Sequence, residues 1–512
     1  MAVIGSLIKG IIDITQSTES REKYIENQKT VLYDLLNKAK TTAFGKYFGF
    51  EHILDQDDII STFQSLVPLY DYQRLHDEWL KQIHLGFSDI TWPGRPSYFA
   101  LTSGTTGDQS KRIPVSEEML STIRRSALKQ ISSLSNYDLP PEFFEREIMM
   151  LGSSTALTRR HDQLEEGEIS GISASQIPFW FRRYYKPGKE ISRIEDWDQR
   201  ILQIAQQAPE WDIGALSGIP PWVKLMIKRI LEFHKADHIH EIWPGLEVYT
   251  TGGVAFEPYK KSFESLFGKP VNIIDTYLAS EGFLAFQRRP ETSAMHLVTD
   301  NGVFFEFVPF DPQFIASDGS VVQDAPVKRF SEVEEGEEYI LLISTVSGLW
   351  RYMIGDTILF TDIDRAEIKI TGRTKFFMNV VGSQLSVIKL NEAIRALEKK
   401  LDTRLPEFVL AAIEINGEFY HKWWIGVEGG QNVSDSSLAE HLDEILKKAN
   451  KNYRVARSKA LKGVIVQTIS PEIFNEWSAQ NNKKGDQVKR EKIMKEDRFQ
   501  EFENFVNAQI QG

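Results

Sequence analysis

The spacing of apolar residues changes character several times along the chain. Between residues 20 and 85 it follows a helical period: Leu32, Leu35 and Leu36 fall on one face, and Phe63 to Leu80 repeats the pattern until Pro68 breaks it. Tyr98–Leu101 is a short apolar run of strand length, a glycine-rich stretch follows, and Arg112–Val115 reads as extended chain again. Ser116 is then an N-cap, with Glu117 and Glu118 placed in the first helical turn where the dipole favours them. Further on, 247–251, 271–274, 302–308 and 339–344 read as strands, alternating with helical stretches of which 221–234 is the clearest. No internal repeat runs through the chain.

The pattern changes once more after the strand 368–373. Helical segments at 386–401 and 436–451 alternate with strands at 408–415 and 422–428, a compact unit the size of one ordinary domain. The chain is therefore expected to be α/β with some antiparallel sheet, divided near Gly372–Lys375 into a large domain over 1–372 and a small one over 373–512. Residues 481–490, polar, basic and glycine-containing, are expected to form a mobile loop. The apolar patches of Met1–Ile14 fit an amphipathic helix docked on the body and are too short to span a bilayer.

Composition narrows the chemistry. The net charge of -12 argues against a nucleic-acid coat and against an anionic-membrane binder, each of which needs a basic face. With no cysteine in 512 residues there is no disulfide, thiolate metal site or thiol nucleophile, which suits a cytoplasmic location. His234, His238 and His240 cluster, but without an H-E-x-x-H pattern they read as a helix-to-strand loop rather than a metal centre.

Six short stretches are able to carry chemistry. Leu101–Lys111 brings glycines and hydroxyls after an apolar strand, so its backbone N–H groups and side chains suit phosphate oxygens, although it is not a Walker loop. In Tyr249–Ala255 a double glycine lets a flat ring lie against backbone. Asp275–Gly282 offers Tyr277 for stacking on a base and Glu281 for Mg²⁺ bound to phosphate. Gly348–Asp356 ends in an aspartate suited to ribose hydroxyls. Thr371–Lys375 and Gly485–Arg490 add Arg373 and Lys489, the latter a cation that a loop could swing toward a developing phosphate charge. Each stretch alone is equally well read as a turn, a cap or a solvated charge.

Their order is more specific than any one of them. A Ser/Thr/Gly loop, a G-G turn, Y-x-x-S-E, a tyrosine segment ending in G-D, T-G-R and a late lysine resemble the parts of the acyl-adenylating superfamily. That superfamily includes firefly luciferase, acyl-CoA synthetases and peptide-synthetase adenylation domains. The resemblance is greatest to the Gretchen Hagen auxin-responsive family, the acyl acid amido synthetases, as a bacterial-type member. It extends to Thr42–Lys46, Val67–Tyr70 and Gly86–Pro93.

The resemblance implies a large adenylation domain with mixed sheets and a β-barrel-like part, and a small mobile C-terminal αβ domain. It implies ATP and Mg²⁺, with phosphate held by Ser103, Gly104, Thr105 and Thr106, and the nucleotide held by Gly253, Val254, Thr276, Tyr277, Asp356 and Arg373. It makes Glu281 the metal ligand and a catalytic residue beside Lys489. The chain departs from the family pattern at Met353, where arginine is usual, and the sequence leaves open whether the nearby Arg351 makes up for that charge. A proline is also missing beside Lys489. The implied substrates are a small carboxylic acid and an amino acid, in a monomer or weak dimer with no nucleic-acid or membrane partner. A thiol acceptor of the acyl-CoA type and a non-catalytic nucleotide binder are the competing readings.

Overall fold

A computed structural model describes residues 20–102, 111–159, 164–179, 181–253, 256, 259–316, 319–374, 385, 387–415, 418–428, 434–450, 453, 454, 457, 461–481, 491–494 and 496–511. The expectations for Met1–Ile14, for the phosphate-loop residues Ser103–Gly107, for Val254 and for Lys489 fall outside that set.

The helical N-terminal region begins with α1 (Arg21–Ala39), capped by the Ser20 hydroxyl and burying Val31, Leu32, Leu35 and Leu36. Its core-facing polar residue, Gln28, donates to the carbonyls of Thr299 and Val303 and accepts from the Phe305 N–H, which clamps the helix to a strand of the main sheet. After Pro68 the helical run resumes at Tyr72–Leu75 and continues as a π-helical turn over His76–Leu80.

The main sheet is eleven-stranded. Its parallel half holds β3 (Glu147–Leu151), β6 (Tyr185–Lys186), β7 (Ile213–Gly218), β8 (Val248–Gly252) and β9 (Asn272–Ala279), in the order β6-β3-β7-β8-β9. At β9 the sheet turns antiparallel through β10 (Gly282–Phe286), β11 (Met295–Leu297), β12 (Val303–Pro309), β13 (Glu338–Thr345), β14 (Tyr352–Asp362) and β15 (Glu367–Arg373). The full order is β12-β13-β14-β15-β11-β10-β9-β8-β7-β3-β6. β9 and β14 are four strands apart along the sheet, which would place them roughly 19 Å apart if it were flat. A side-chain hydrogen bond nevertheless joins Tyr277 on β9 to Asp356 on β14, so this half curls on itself. That curl is the barrel-like part.

A second, four-stranded sheet, β2-β1-β5-β4, joins β1 (Tyr98–Leu101) and β2 (Arg112–Val115) to β4 (Thr158–Arg159) and β5 (Glu165–Gly167). The Ser116 hydroxyl caps α2 (Glu117–Ser133), as the sequence predicts, by accepting from the Met119 N–H. α3 (Ile169–Ser175), α4 (Trp197–Gln207) and α5 (Pro220–His234) follow, and the last two share an apolar core with β3 and β7 through Trp197, Trp222, Met226 and Leu216.

The C-terminal unit contains the three-stranded sheet β16 (Phe408–Ile415), β17 (Glu418–Gly426) and β18 (Leu461–Ile469). One face packs on α6 (Val387–Leu401) and α7 (Asp435–Ala449) through Leu390, Leu397, Trp423 and Leu442. The other packs on α8 (Pro471–Asn481) and α9 (Glu496–Gln511) through Trp424, Phe474 and Phe502. β17 begins four residues earlier than its sequence pattern suggests, because the mixed polar run Glu418–His421 is carried in register by β16.

No described helix is long and apolar enough to cross a membrane. The histidine cluster is structural: His240 bonds the Leu246 carbonyl and the Gly268 N–H through its two ring nitrogens, and burial lowers its pKa.

Candidate active site

In open α/β sheets ligands bind outside the carboxyl ends of the parallel strands. Here β9 is also the strand at which parallel pairing gives way to antiparallel. Three of the six motifs, those carrying Tyr277 and Glu281, Asp356, and Arg373, meet there.

Tyr277 lies inside β9 rather than in the loop after it, and its ring is buried. Its hydroxyl donates to Asp356 Oδ2 at 2.5 Å. Asp356 Oδ1 accepts from Arg373 Nε at 2.6 Å, and the two residues are direct cross-strand partners on the β14–β15 hairpin. The G-D and T-G-R motifs, 17 residues apart in sequence, are thus the two arms of one hairpin. Gly355 precedes Asp356 with φ +90°, a conformation that L side chains rarely adopt. The carboxylate of Asp356 holds the Arg373 guanidinium firmly charged, raising its pKa, while burial and the same carboxylate raise that of the Tyr277 phenol. This chain of charge-assisted hydrogen bonds is a rigid platform.

Glu281 sits in the β9–β10 turn, only 6% exposed. Burial raises the pKa of its carboxyl, opposed by the nearby charges of Lys111 and Arg373. No cluster of three or more acidic or histidine ligands exists among the described residues. A lone buried carboxylate therefore fits Mg²⁺, which takes one or two protein carboxylates and fills the rest of its shell with phosphate and water. Two further buried groups, the Tyr352 and Thr374 hydroxyls, have no hydrogen-bond partner among the described residues. Orphaned donors beside a charged platform fit a polar ligand such as a nucleotide.

Other members of the predicted set are placed by their neighbours. Thr276 accepts from Gln130 Nε2 of α2 at 2.8 Å, which fixes the strand one residue before Tyr277. Gly253 follows β8 at φ +77°, where an added Cβ would lie 3.3 Å from Ile219. Sequence reasoning missed Tyr72. Its hydroxyl accepts from the Arg112 N–H at 2.9 Å, and its ring lies 5.3 Å from the Lys111 ammonium. β2 is an edge strand, so the tyrosine satisfies a backbone donor that would otherwise be open, and it sets Lys111 on the side of Glu281. Tyrosine among helical apolar residues carries no signal of this in a single sequence.

Arg351 does not replace the charge absent at Met353. It is buried with φ +41°, pairs with the fully buried Glu306 and donates to the carbonyls of Gln64 and Val67 at 2.7 and 2.6 Å. It ties the N-terminal helices to β12 and is a fold residue. Arg351→Met strands the Glu306 carboxylate without its counter-charge and is expected to cost about 3 kcal/mol in urea unfolding. The KM for ATP of the folded fraction should be unchanged.

The GH3 family N-terminal domain matches residues 13–208, the GH3 family central domain 296–373, and the GH3 family C-terminal domain 389–498. The indole-3-acetic acid-amido synthetase GH3.2 of Arabidopsis thaliana is 22% identical over 89% of this chain and 96% of its own length. The indole-3-acetic acid-amido synthetase GH3.3 of the same plant is 22% identical over 88% of this chain and 85% of its own. Among solved structures, the AtGH3.15 acyl acid amido synthetase in complex with 2,4-DB superposes with a TM-score of 0.74 at 17% identity, covering 94% of this chain and 93% of that one. A 2-hydroxyisobutyryl-CoA ligase in the postadenylation state shares the fold at a TM-score of 0.57 and 12% identity, over 96% of this chain and 92% of that one. With three matched domains that together span most of its length, the chain belongs to the GH3 family.

Proposed function

We propose that this protein is an acyl acid amido synthetase. A carboxylate oxygen of the acid attacks the α-phosphorus of ATP, forming a mixed anhydride, acyl-AMP, and releasing pyrophosphate. The amine of an amino acid then attacks the acyl carbon; the C–N bond forms, the C–O bond to AMP breaks, and the nitrogen gives up a proton.

The observation that carries this reading is the convergence of Tyr277, Asp356, Arg373 and Glu281 at the junction of the parallel and antiparallel half-sheets. In this reading the Tyr277 ring supports the adenine, the Asp356 carboxylate accepts the ribose hydroxyls, and Arg373 secures Asp356 while facing the phosphates. Mg²⁺ held at Glu281 would neutralise triphosphate charge. Lys111 adds a fixed cation on the same side. Positioning and preorganised charge supply the acceleration in such a site. Ser103–Thr106, Gly253 and Val254 complete the nucleotide contacts, and Lys489, delivered by the small domain, offsets the charge developing at the α-phosphate. The domain division near Gly372–Lys375 gives that delivery a hinge.

The test is acid-dependent exchange of labelled pyrophosphate into ATP across a panel of carboxylic acids, followed by AMP release with amino acids against CoA. Exchange with at least one acid, and AMP release driven by an amino acid, are the expected results. No exchange with any acid, or turnover with CoA alone, overturns the assignment. Lys489→Ala should depress exchange while ATP still binds.

A further inference from the structure

Tyr72 stands between the main sheet and the four-stranded one. Just before it, the backbone of Tyr70 is bonded on both sides of Tyr352: its N–H donates to the Arg351 carbonyl at 3.0 Å, and its carbonyl accepts from the Met353 N–H at 2.8 Å. Tyr352 opens β14, the strand that carries Asp356. On the other side the Tyr72 hydroxyl accepts from the Arg112 N–H of β2 at 2.9 Å. Its ring lies 5.3 Å from the Lys111 ammonium, within the roughly 6 Å over which a ring face attracts a cation. The Lys111 carbonyl in turn accepts from the Thr102 N–H at 3.1 Å, next to β1. The segment Tyr70–Tyr72 is thus a strut between the strand that carries Asp356 and the strand pair that Lys111 adjoins.

A column of rings backs this strut. The Tyr72 and His76 rings stack with centroids 5.7 Å apart and planes 28° apart. The His76 ring lies 5.2 Å from that of His84, which meets Phe99 of β1 edge-on at 4.8 Å. The π-helical turn His76–Leu80 accounts for the alignment. At 3.6 residues per turn, seven residues return a helix to within roughly 20° of the same face, whereas eight overshoot it by roughly 80°. The extra residue that a π-turn takes up cancels that overshoot and brings His84 to the side of His76 and Tyr72. The column anchors the Tyr72 ring on β1, so the ring keeps its place beside Lys111.

We propose that Tyr72 is a positioning residue for the nucleotide: its ring holds Lys111 at a fixed reach from Asp356, so that the ammonium meets the polyphosphate end of ATP while Asp356 takes the ribose. The effect belongs to ATP and not to AMP, which has no β- or γ-phosphate. A tyrosine that only closed the edge of β2 would favour neither nucleotide over the other. The inference rests on the nucleotide-site reading.

The experiment is calorimetric titration of the full chain with Mg-ATP and with AMP, in wild type, Tyr72→Leu, Tyr72→Phe, Lys111→Met and the double variant Tyr72→Leu/Lys111→Met. Tyr72→Leu and Lys111→Met should each weaken Mg-ATP binding by about tenfold or more, the scale of one hydrogen bond to a charged group, and leave AMP binding within about twofold. Tyr72→Phe keeps the ring face and should stay within about threefold of wild type for Mg-ATP. In the Lys111→Met background Tyr72→Leu should add less than about twofold, because residues that act through one another are not additive. Mg-ATP binding unchanged in Tyr72→Leu, equal weakening of both nucleotides, additive losses in the double variant, or a loss in Tyr72→Phe as large as in Tyr72→Leu overturns the role. Wild-type protein that binds neither nucleotide defeats the nucleotide-site reading itself, and the role with it.

Discussion

Asp356→Asn should lower acid-dependent pyrophosphate exchange by about 10²- to 10³-fold, mostly through the KM for ATP. The carboxylate accepts two short hydrogen bonds, from Tyr277 and Arg373, and is nearly buried. Hydrogen bonds to charged groups are each worth roughly 1.5–3 kcal/mol, so losing one of them and weakening the other accounts for a loss of that order. Asparagine keeps the shape but presents an amide N–H toward one of two donors, so either the phenol or the guanidinium loses its acceptor. Arg373 then stays buried without a counter-charge, and the ribose loses its acceptor as well. Arg373→Lys should reproduce much of the loss, because a lysine cannot keep the same contact while facing the phosphates. Steady-state exchange kinetics at varied ATP read the effect. Wild-type affinity for ATP in Asp356→Asn would remove this residue from the nucleotide site.

The same platform shows what a single sequence exposes and what it conceals. Strands β1, β13 and β15, the cap at Ser116 and the helices α5, α6 and α7 follow from local period and turn chemistry, and the structure places them within a residue or two of expectation. Those signals are local, and so are the motifs. The meeting of Tyr277 with Asp356, 79 residues later, depends on the curl of the sheet, which no local pattern encodes. Only the resemblance of the motif order implied that they share a site. Arg351 is a question the sequence leaves open and the structure answers: just before β14, with a positive φ, its side chain pairs with Glu306 and donates to carbonyls of the N-terminal helices. Tyr72 went unread because a tyrosine at the start of a short helical turn looks, in a single sequence, like any of the core residues around it.

Glu281→Gln should separate function from stability. Exchange is expected to fall about 10³-fold, with the requirement for Mg²⁺ shifted to higher concentration, since the amide is a much poorer ligand for a hard cation. Stability should move the other way. Burial raises the Glu281 pKa above its unfolded value, so the folded state binds this proton more tightly than the unfolded chain does. Its contribution is therefore fully present below the unfolded pKa near 4.3 and is lost as pH rises through the higher folded value. In the ligand-free wild type burial penalises the charged form of this carboxyl, offset only in part by Lys111 and Arg373. Glutamine removes that charge at every pH. The ligand-free variant should melt at or above the wild-type temperature at pH 7, and the difference should shrink toward pH 4. Addition of Mg-ATP should raise the wild-type melting temperature more than that of the variant, because the ligand supplies the missing counter-charge only where the carboxylate remains. A variant less stable than wild type at pH 7, with undiminished exchange, would make Glu281 a fold residue like Arg351. The opposite pattern, activity lost and stability kept or gained, marks a group held at a cost to the fold for what it binds.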